Sequence, residues 1–270
     1  MALSKIISPW KDILSFRFDD RPMSEFIYGL HGYWVKFFHD YYFRAEHMGH
    51  VKESLEAARK EHVIFVSNHA ITIEAVLINY FLYTHHAGIV GTLVFPEAFK
   101  LPLIREFFRS AQCVPISVNR GCETLKKRHI LLFPEGMDFI NGYVNPNRIP
   151  RFHKGFLRIA KQFLEKRHKK SITIIPVGHV GIEQTLKFWV IRNRTFLELF
   201  VKPFVGYPFM LIPKMPILFP SKVVFNWGMP TRLTLGDLKN EQKMTLQANH
   251  FRSTLLTLRR SAHKVREMKF

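Results

Sequence analysis

His69 and Glu74 lie five residues apart in the stretch VIFVSNHAITIE (Val63 to Glu74), a pairing that suits acid–base chemistry. An imidazole exchanges protons near neutral pH. A carboxylate on one ring nitrogen fixes the tautomer and leaves the other nitrogen to take a proton. On a regular helix, positions five apart sit ~140° apart and share no face. The two groups meet only if His69 is in a turn and Glu74 is near a helix start. The flanking residues fit this: Val63 to Val66 reads as a short buried strand and Ala75 to Tyr83 as an apolar helix. A chance His and Glu at a turn before a helix would look the same, so the pair alone decides nothing.

Three further apolar runs end in groups that could hold a ligand. His129 to Leu132 leads into Phe133-Pro134-Glu135-Gly136. Proline stops a ladder and glycine allows an unusual backbone angle or a close ligand. Glu135 is then displayed at a strand end, either to grip a hydroxyl or ammonium or as part of an ordinary surface turn. Cys113 to Val118 ends at Asn119-Arg120-Gly121. The guanidinium fork of Arg120 matches phosphate oxygens, although a lone arginine is more often a surface residue. Ile172 to Val177 is a buried run broken by Pro176.

The elements that would position these groups alternate along the chain. Strands are expected at 62–67, 89–95, 113–118, 129–133, 171–177, 195–202 and 221–227. Helices are expected at 72–84, 102–110, 154–167 and 241–266. This is an α/β pattern: a mixed, largely parallel sheet flanked by helices, with polar chemistry at the strand ends. Residues 46–270 form one domain, preceded by an amphipathic, membrane-associating helical region over 1–45. There Phe26, Leu30, Tyr33, Trp34, Phe37, Phe38 and Tyr41 recur at helical spacing. Such a stripe is usually core; its Tyr and Trp content tilts part of it toward lipid headgroups. Residues 1–22 mix apolar and basic side chains, as either a surface-lying helix or a loose tail. The stretch 207–220 joins apolar side chains to four prolines, which prevent a regular helix or central strand. The last helix carries Leu246, Phe251 and Leu255 and ends in Arg259, Arg260, Lys264 and Arg266. That basic end reads as a solvated face or as attraction to a membrane or carrier.

Composition narrows the partners. The 270 residues carry a formal net charge of +19, which calls for an anionic partner, and 26 Phe suggest aromatic surface for lipid. The basic residues are scattered, with no helix-turn-helix, zinc-finger or RNA-recognition signature, so nucleic acid is not expected. The two cysteines, Cys113 and Cys122, fit a reducing compartment and have no metal-ligand spacing. There is no run of about 20 uncharged apolar residues for a membrane span and no secretory leader pattern.

Taken together and in order, the four stretches resemble the PlsC-type glycerolipid acyltransferase family. Its Asn-His-x4-acid block is similar to Asn68-His69-(Ala-Ile-Thr-Ile)-Glu74. Its strand ending in Arg is similar to Ile116 to Arg120, its Phe-Pro-Glu-Gly block is Phe133 to Gly136, and its Pro-Val strand is Ile174 to Val177. The resemblance covers roughly 60–230. It implies transfer of an acyl group from acyl-CoA or acyl carrier protein to a lysolipid hydroxyl at an anionic, cytoplasmic-side membrane surface, without metal or cofactor. His69 would be the base and Glu74 its orienter. Arg120, Glu135 and Gly136 would form the acceptor pocket, with Lys100 on a phosphate. Asn68, Phe133, Pro134 and Lys154 count with the substrate-binding set. Three departures stand out. The acid of the first block is usually Asp, not Glu. Met137-Asp138 replaces the usual Thr or Ser and Arg, which argues against a small phosphorylated acceptor. The segment between Arg120 and His129 leaves little room for the usual helix.

Overall fold

The structure is a computed structural model; it describes residues 35–70, 73–96, 99, 108, 112–138, 149–185, 188–191, 210–214 and 219–268. A π-helix, Phe37–Tyr42, leads into β1 (Glu46–Gly49), α1 (Val51–Lys60), β2 (Ile64–Ser67), α2 (Ile73–Thr84) and β3 (Val90–Val94). There follow β4 (Cys113–Pro115), α3 (Val118–Lys127), β5 (His129–Leu132), α4 (Gly155–Arg167) and β6 (Ser171–Val180). The chain continues through β7 (Phe188–Ile191), β8 (Met210–Pro213), β9 (Val224–Trp227), β10 (Thr231–Thr234) and α5 (Glu241–Met268).

The main sheet has the order β1-β9-β6-β2-β5-β3-β4, with β10 also on β6. β2, β3, β4, β5 and β6 run parallel; β9 and β10 lie antiparallel to β6. Alternation along each strand builds two cores. Ile64, Val66, Ile130, Leu132, Ile172 and Ile174 face α3, α4 and α5, and Phe156, Leu164, Phe251 and Leu255 pack there. Val63, Phe65, Leu131, Ile175, Val177 and Trp227 face α1 and α2, against Leu55, Ile78 and Leu82. Near-continuous apolar strands buried on both faces are what a helix-covered parallel sheet requires.

Four expectations change. The room between Arg120 and His129 does hold a helix, α3. It begins before Arg120, because Ser117 caps it by accepting the Arg120 N–H at 3.1 Å. β4 accordingly ends at Pro115. β6 is not broken by Pro176. A strand residue's N and C=O point to the same side, and the Pro176 carbonyl accepts the Gly228 N–H at 2.8 Å in the gap between β9 and β10. The missing proline donor faces a place where no ladder bond is due. The described part of the proline-rich stretch is an edge strand, Met210–Pro213, in a two-stranded sheet with β7. α1, β1 and β10 were not expected at all. The strand at 195–202, residues 1–34 and the helix at 102–110, save Phe108, lie outside the described residues.

One polar chain ties the π-helix to the sheet. The indole N–H of Trp227 donates to His47 Nδ1 at 3.0 Å, so the His47 proton sits on Nε2. That proton reaches His39 Nε2 at 2.9 Å, so the His39 proton sits on Nδ1, 2.7 Å from Asp40 Oδ1. Lys36 holds the other Asp40 oxygen at 2.9 Å. An added proton on either ring sets two donors face to face. Burial, with the nearby charge of His85, keeps both histidines below their ordinary value of 6.5, against the opposing pull of Asp40 on His39. Groups depressed in this way stabilise the fold fully above about pH 6.5, and that stability is lost as pH falls through their lower folded values. The melting temperature is therefore expected to drop as pH is lowered from 6.5. A His39→Gln/His47→Gln variant should start lower at pH 7.5 but follow a flatter curve. His129, lowered to about 4 mainly by burial, keeps some slope in both proteins. Parallel curves for variant and wild type would place the titration elsewhere.

Candidate active site

The parallel register of β2, β5 and β6 delivers three chain segments to one end of the sheet, where open α/β sheets keep their ligands. β2 runs out into Asn68 and His69, β5 into Phe133 to Gly136, and β6 continues past both to His179. Asn68 is 2% exposed. Its amide accepts the His179 N–H at 2.8 Å and donates to the His179 carbonyl at 3.2 Å, extending the β2–β6 ladder with a side chain. His179 returns a bond from Nε2 to the Asn68 carbonyl at 2.7 Å. Asn68 thus fixes the turn rather than facing a ligand.

The next residue, His69, leaves the sheet in that turn, and Glu74 occupies the first turn of α2. His69 Nδ1 lies 2.5 Å from Glu74 Oε1, and the same oxygen accepts the Ala70 N–H at 2.9 Å. Glu74 is fully buried while the His69 side chain keeps 16% of its surface. Burial alone would raise the Glu74 carboxyl. The charge and hydrogen bond of His69, the charge of His179 and the Ala70 N–H together hold it at about 2. It is therefore ionised at any physiological pH. The Phe133 ring stacks on the imidazole, with centroids 4.4 Å apart and planes at 24°.

Glu135 is not displayed. It is 1% exposed, and its carboxyl accepts the backbone N–H of His69. Burial, aided by the Glu74 charge and opposed by Arg259 and the His69 N–H, pushes it up to about 8. Two carboxyls thus flank His69, one ionised and one mostly protonated at neutral pH. Gly136 sits at φ +56°, the left-handed region that favours glycine, and the His153 ring lies over it. His153 folds back onto this turn, its N–H 2.7 Å from the Pro134 carbonyl. Pro134 is buried.

The remaining expected residues are dispersed. Lys154 turns to α5, 2.5 Å from Glu241 and 3.2 Å from Thr245. Arg120 is exposed on α3, at the same sheet edge as His69 but beyond β5 and β3. Lys100 lies outside the described residues. Two residues escaped the sequence reading. His179 was hidden in an apolar strand. Arg259 was assigned to the basic end of α5, yet it is 6% exposed and faces Glu135 and His179 electrostatically. Its signal was present: it continues the apolar stripe Met244, Ala248, Phe251 and Leu255, with Ala262 after it. The helix comes close enough because Gly178 has no side chain; a Cβ there would meet the Arg259 backbone nitrogen at 2.9 Å.

A histidine oriented by a buried carboxylate can serve as a general base. Both cysteines are buried, and burial pushes the Cys113 thiol up to about 12, which removes it as a nucleophile.

Comparison with known proteins agrees with this chemistry. The Acyltransferase family model matches residues 49–180, a span that holds His69, Glu74, Arg120, Glu135 and His179. Among solved structures, the fold is similar to a protein described as the 1-acyl-sn-glycerophosphate (LPA) acyltransferase PlsC from Thermotoga maritima. The TM-score is 0.52 at 15% identity, covering 97% of this chain and 89% of that one. No curated protein matches the chain. The chain is thus similar to the Acyltransferase family over the span that holds the His69–Glu74 pair, and its fold is similar to that of the PlsC structure.

Proposed function

We propose that the protein moves a fatty acyl group from an acyl thioester, acyl-CoA or acyl carrier protein, to a hydroxyl of a lysophospholipid such as 1-acyl-glycerol-3-phosphate. The observation that carries this reading is the buried, ionised Glu74 at 2.5 Å from Nδ1 of His69, at the strand-end edge of the sheet. His69 Nε2 takes the proton of the acceptor hydroxyl as its oxygen attacks the thioester carbonyl. The tetrahedral intermediate collapses, the C–S bond breaks, and the departing sulfur takes the proton back from the imidazolium. Glu74 stabilises that imidazolium. The thioester is already activated, so no acyl-enzyme is needed. A positioned base supplies ~10²–10⁴-fold, and backbone amides around the developing oxyanion supply much of the rest.

Arg120 is the candidate phosphate contact. β4, which leads into its helix, lies three strand spacings, ~14 Å, from β2 in the sheet. A second acceptor class, a glycolipid or amino lipid, is favoured by one observation: Asp138 stands beside Gly136 with 54% of its side chain exposed, where the family usually has a cation. A non-catalytic lipid-binding role is disfavoured by the intact His69–Glu74 pair.

The acceptor is a lipid, so the protein must reach a bilayer, and among the described residues no helix is long and apolar enough to cross one. We read it as a monotopic protein on the cytoplasmic side of a membrane. Phe37 and Tyr41 of the π-helix are 48% and 68% exposed, and they stack on each other with centroids 6.3 Å apart. Exposed aromatics on a chain with a net charge of +19 favour an anionic headgroup region.

Three outcomes follow. With a labelled acyl thioester and a panel of lysolipids, folded His69→Ala should lose at least ~10³-fold in turnover. Glu74→Gln should lose most activity and Glu74→Asp should keep some; turnover equal to wild type in Glu74→Gln would remove the carboxylate from the mechanism.

Glu135 gives a pH signature. Its folded value lies above the ordinary 4.5, so its contribution to stability is present below pH 4.5 and is lost progressively as pH rises to about 8. Between about 6.5 and 8 the histidine contributions are already complete. The melting temperature of the wild type should therefore fall across that interval, while Glu135→Gln, which keeps an acceptor for the His69 N–H, stays level. An equal fall in both proteins would mean that Glu135 is ionised throughout.

In the membrane assay, Phe37→Ser/Tyr41→Ser should weaken binding to anionic vesicles and leave the melting temperature nearly unchanged. The reverse pattern would make these rings structural.

A further inference from the structure

A second concavity lies at the opposite edge of the sheet. Its floor is made where β2, β3 and β5 begin, and three helices end at its rim: α1 at Lys60, α3 at Lys127 and α4 at Arg167. β2 alone separates it from the His69 turn by four residues, ~13 Å. The hollow has a volume of about 660 Å³, within the range of small-molecule sites.

Its charge is one-sided. Arg59, Lys60, Lys126, Arg167 and Lys169 line it against a single acid, Glu61. Glu61 is engaged, accepting the Thr173 hydroxyl at 2.5 Å. Two of the cations are held in place: Arg59 donates to the His85 carbonyl at 2.6 Å, and Lys126 pairs with Glu123 at 2.6 Å. Lys60, Arg167 and Lys169 make no ion pair or side-chain hydrogen bond among the described residues. Basic residues in a last helical turn complement the helix dipole, which accounts for part of this set. It does not account for Lys169, which lies beyond α4, nor for the convergence of three helix ends on one hollow.

The floor is held by hydrogen bonds. His129 donates from Nε2 to the Ala87 carbonyl at 2.7 Å and accepts the Val63 N–H at Nδ1 at 3.1 Å, so it carries a single proton. His62 Nδ1 donates to the Leu125 carbonyl at 2.9 Å. Charge recognition therefore belongs to the rim, where arginine forks and ammonium groups surround the hollow.

We infer that this hollow binds a small, soluble, multiply phosphorylated anion, at a site separate from the acyl-transfer centre. Several cations spread round a cavity of this size suit several anionic groups better than one. A concavity rimmed by helix ends suits a soluble molecule better than a flat bilayer, and the polar floor excludes an acyl chain. Because the site is on the other edge of the sheet, it stands whether or not the acyl-transfer reading holds.

The test uses the full chain and tripolyphosphate as probe, by calorimetric titration at low and at physiological salt. Inorganic phosphate and phosphatidate vesicles form the other arms. Arg167→Ser/Lys169→Ser is compared with Arg260→Ser/Lys264→Ser, which removes the same charges from an exposed face of α5. All four side chains are exposed, so both variants should keep the wild-type circular dichroism. The expected result is tripolyphosphate binding at least tenfold weaker in the first variant and unchanged in the second. Phosphate should bind weakly throughout, and the vesicles should bind both variants equally. Equal weakening in the two variants would reduce the effect to overall charge and overturn the site. So would no binding of tripolyphosphate by the wild type at millimolar concentration. Vesicle binding lost in the first variant with tripolyphosphate binding retained would make the rim a lipid contact instead, which also overturns it.

Discussion

The structure depends on one short bond, between a histidine that must stay reachable and a carboxylate that must not. Glu74 is completely buried, and a lone carboxylate in that position would take up a proton. It stays charged because His69, His179 and the Ala70 N–H all converge on it. Such convergence requires a turn of fixed shape, and most of what surrounds the site serves that shape. Asn68 locks one side of the turn to β6 through two bonds, and Ser67 adds a third from its hydroxyl to the Val177 carbonyl at 2.7 Å. The site is therefore a property of the β2–β6 pairing as much as of His69 and Glu74 themselves.

The second carboxyl completes the electrostatics. Glu135 lies on the opposite side of the same turn and holds the His69 backbone while Glu74 holds the ring. Were both ionised, two buried negative charges would flank one imidazole. The environment separates them instead: Glu74 is pulled down to about 2 and Glu135 is pushed up to about 8. Divergent carboxyls in one site mark a division of labour, here an ionised orienter and a neutral brace. Arg259 tempers the brace from α5, the last helix of the chain. Residues from both ends of the family's motif order and from well beyond it thus act on a single histidine.

How much of this the sequence disclosed depends on the kind of signal. Apolar runs located β2, β3, β5, α2, α4 and α5 to within a few residues, because burial on both faces of a parallel sheet leaves long apolar words. α1 and α3 escaped because their sequences, VKESLEAARK and VNRGCETLKK, are polar on most faces and short. β1 and β10 escaped because they are four-residue edge elements whose pairing is decided by distant partners. The His69–Glu74 pairing was legible from five-residue spacing across a turn. The burial of Glu135 was not, since Pro-Glu-Gly has the composition of a surface turn; only the α5 helix, packed through Gly178, reveals the arginine that faces it. Lys154 illustrates the opposite error: it follows His153, which bonds back to the Phe-Pro-Glu-Gly turn, but its ammonium group reaches across to Glu241.

The net charge of +19 shows the same limit in another form. A total says that an anion is wanted; it does not say where. In the folded chain Arg259 lies inside against two titratable groups, Lys154 and Arg158 both fasten α4 to Glu241, and Lys222 pairs with Glu46. Those cations hold the protein together. Others gather at helix C-termini, where the backbone itself presents negative ends, and the parallel sheet aligns several of those ends along one edge. His69 and Glu74 sit at the other edge, among strand C-termini. The topology that places this pair at one end of the sheet thus concentrates positive charge at the opposite end, so separation of the two follows from strand direction rather than from any further feature of the sequence.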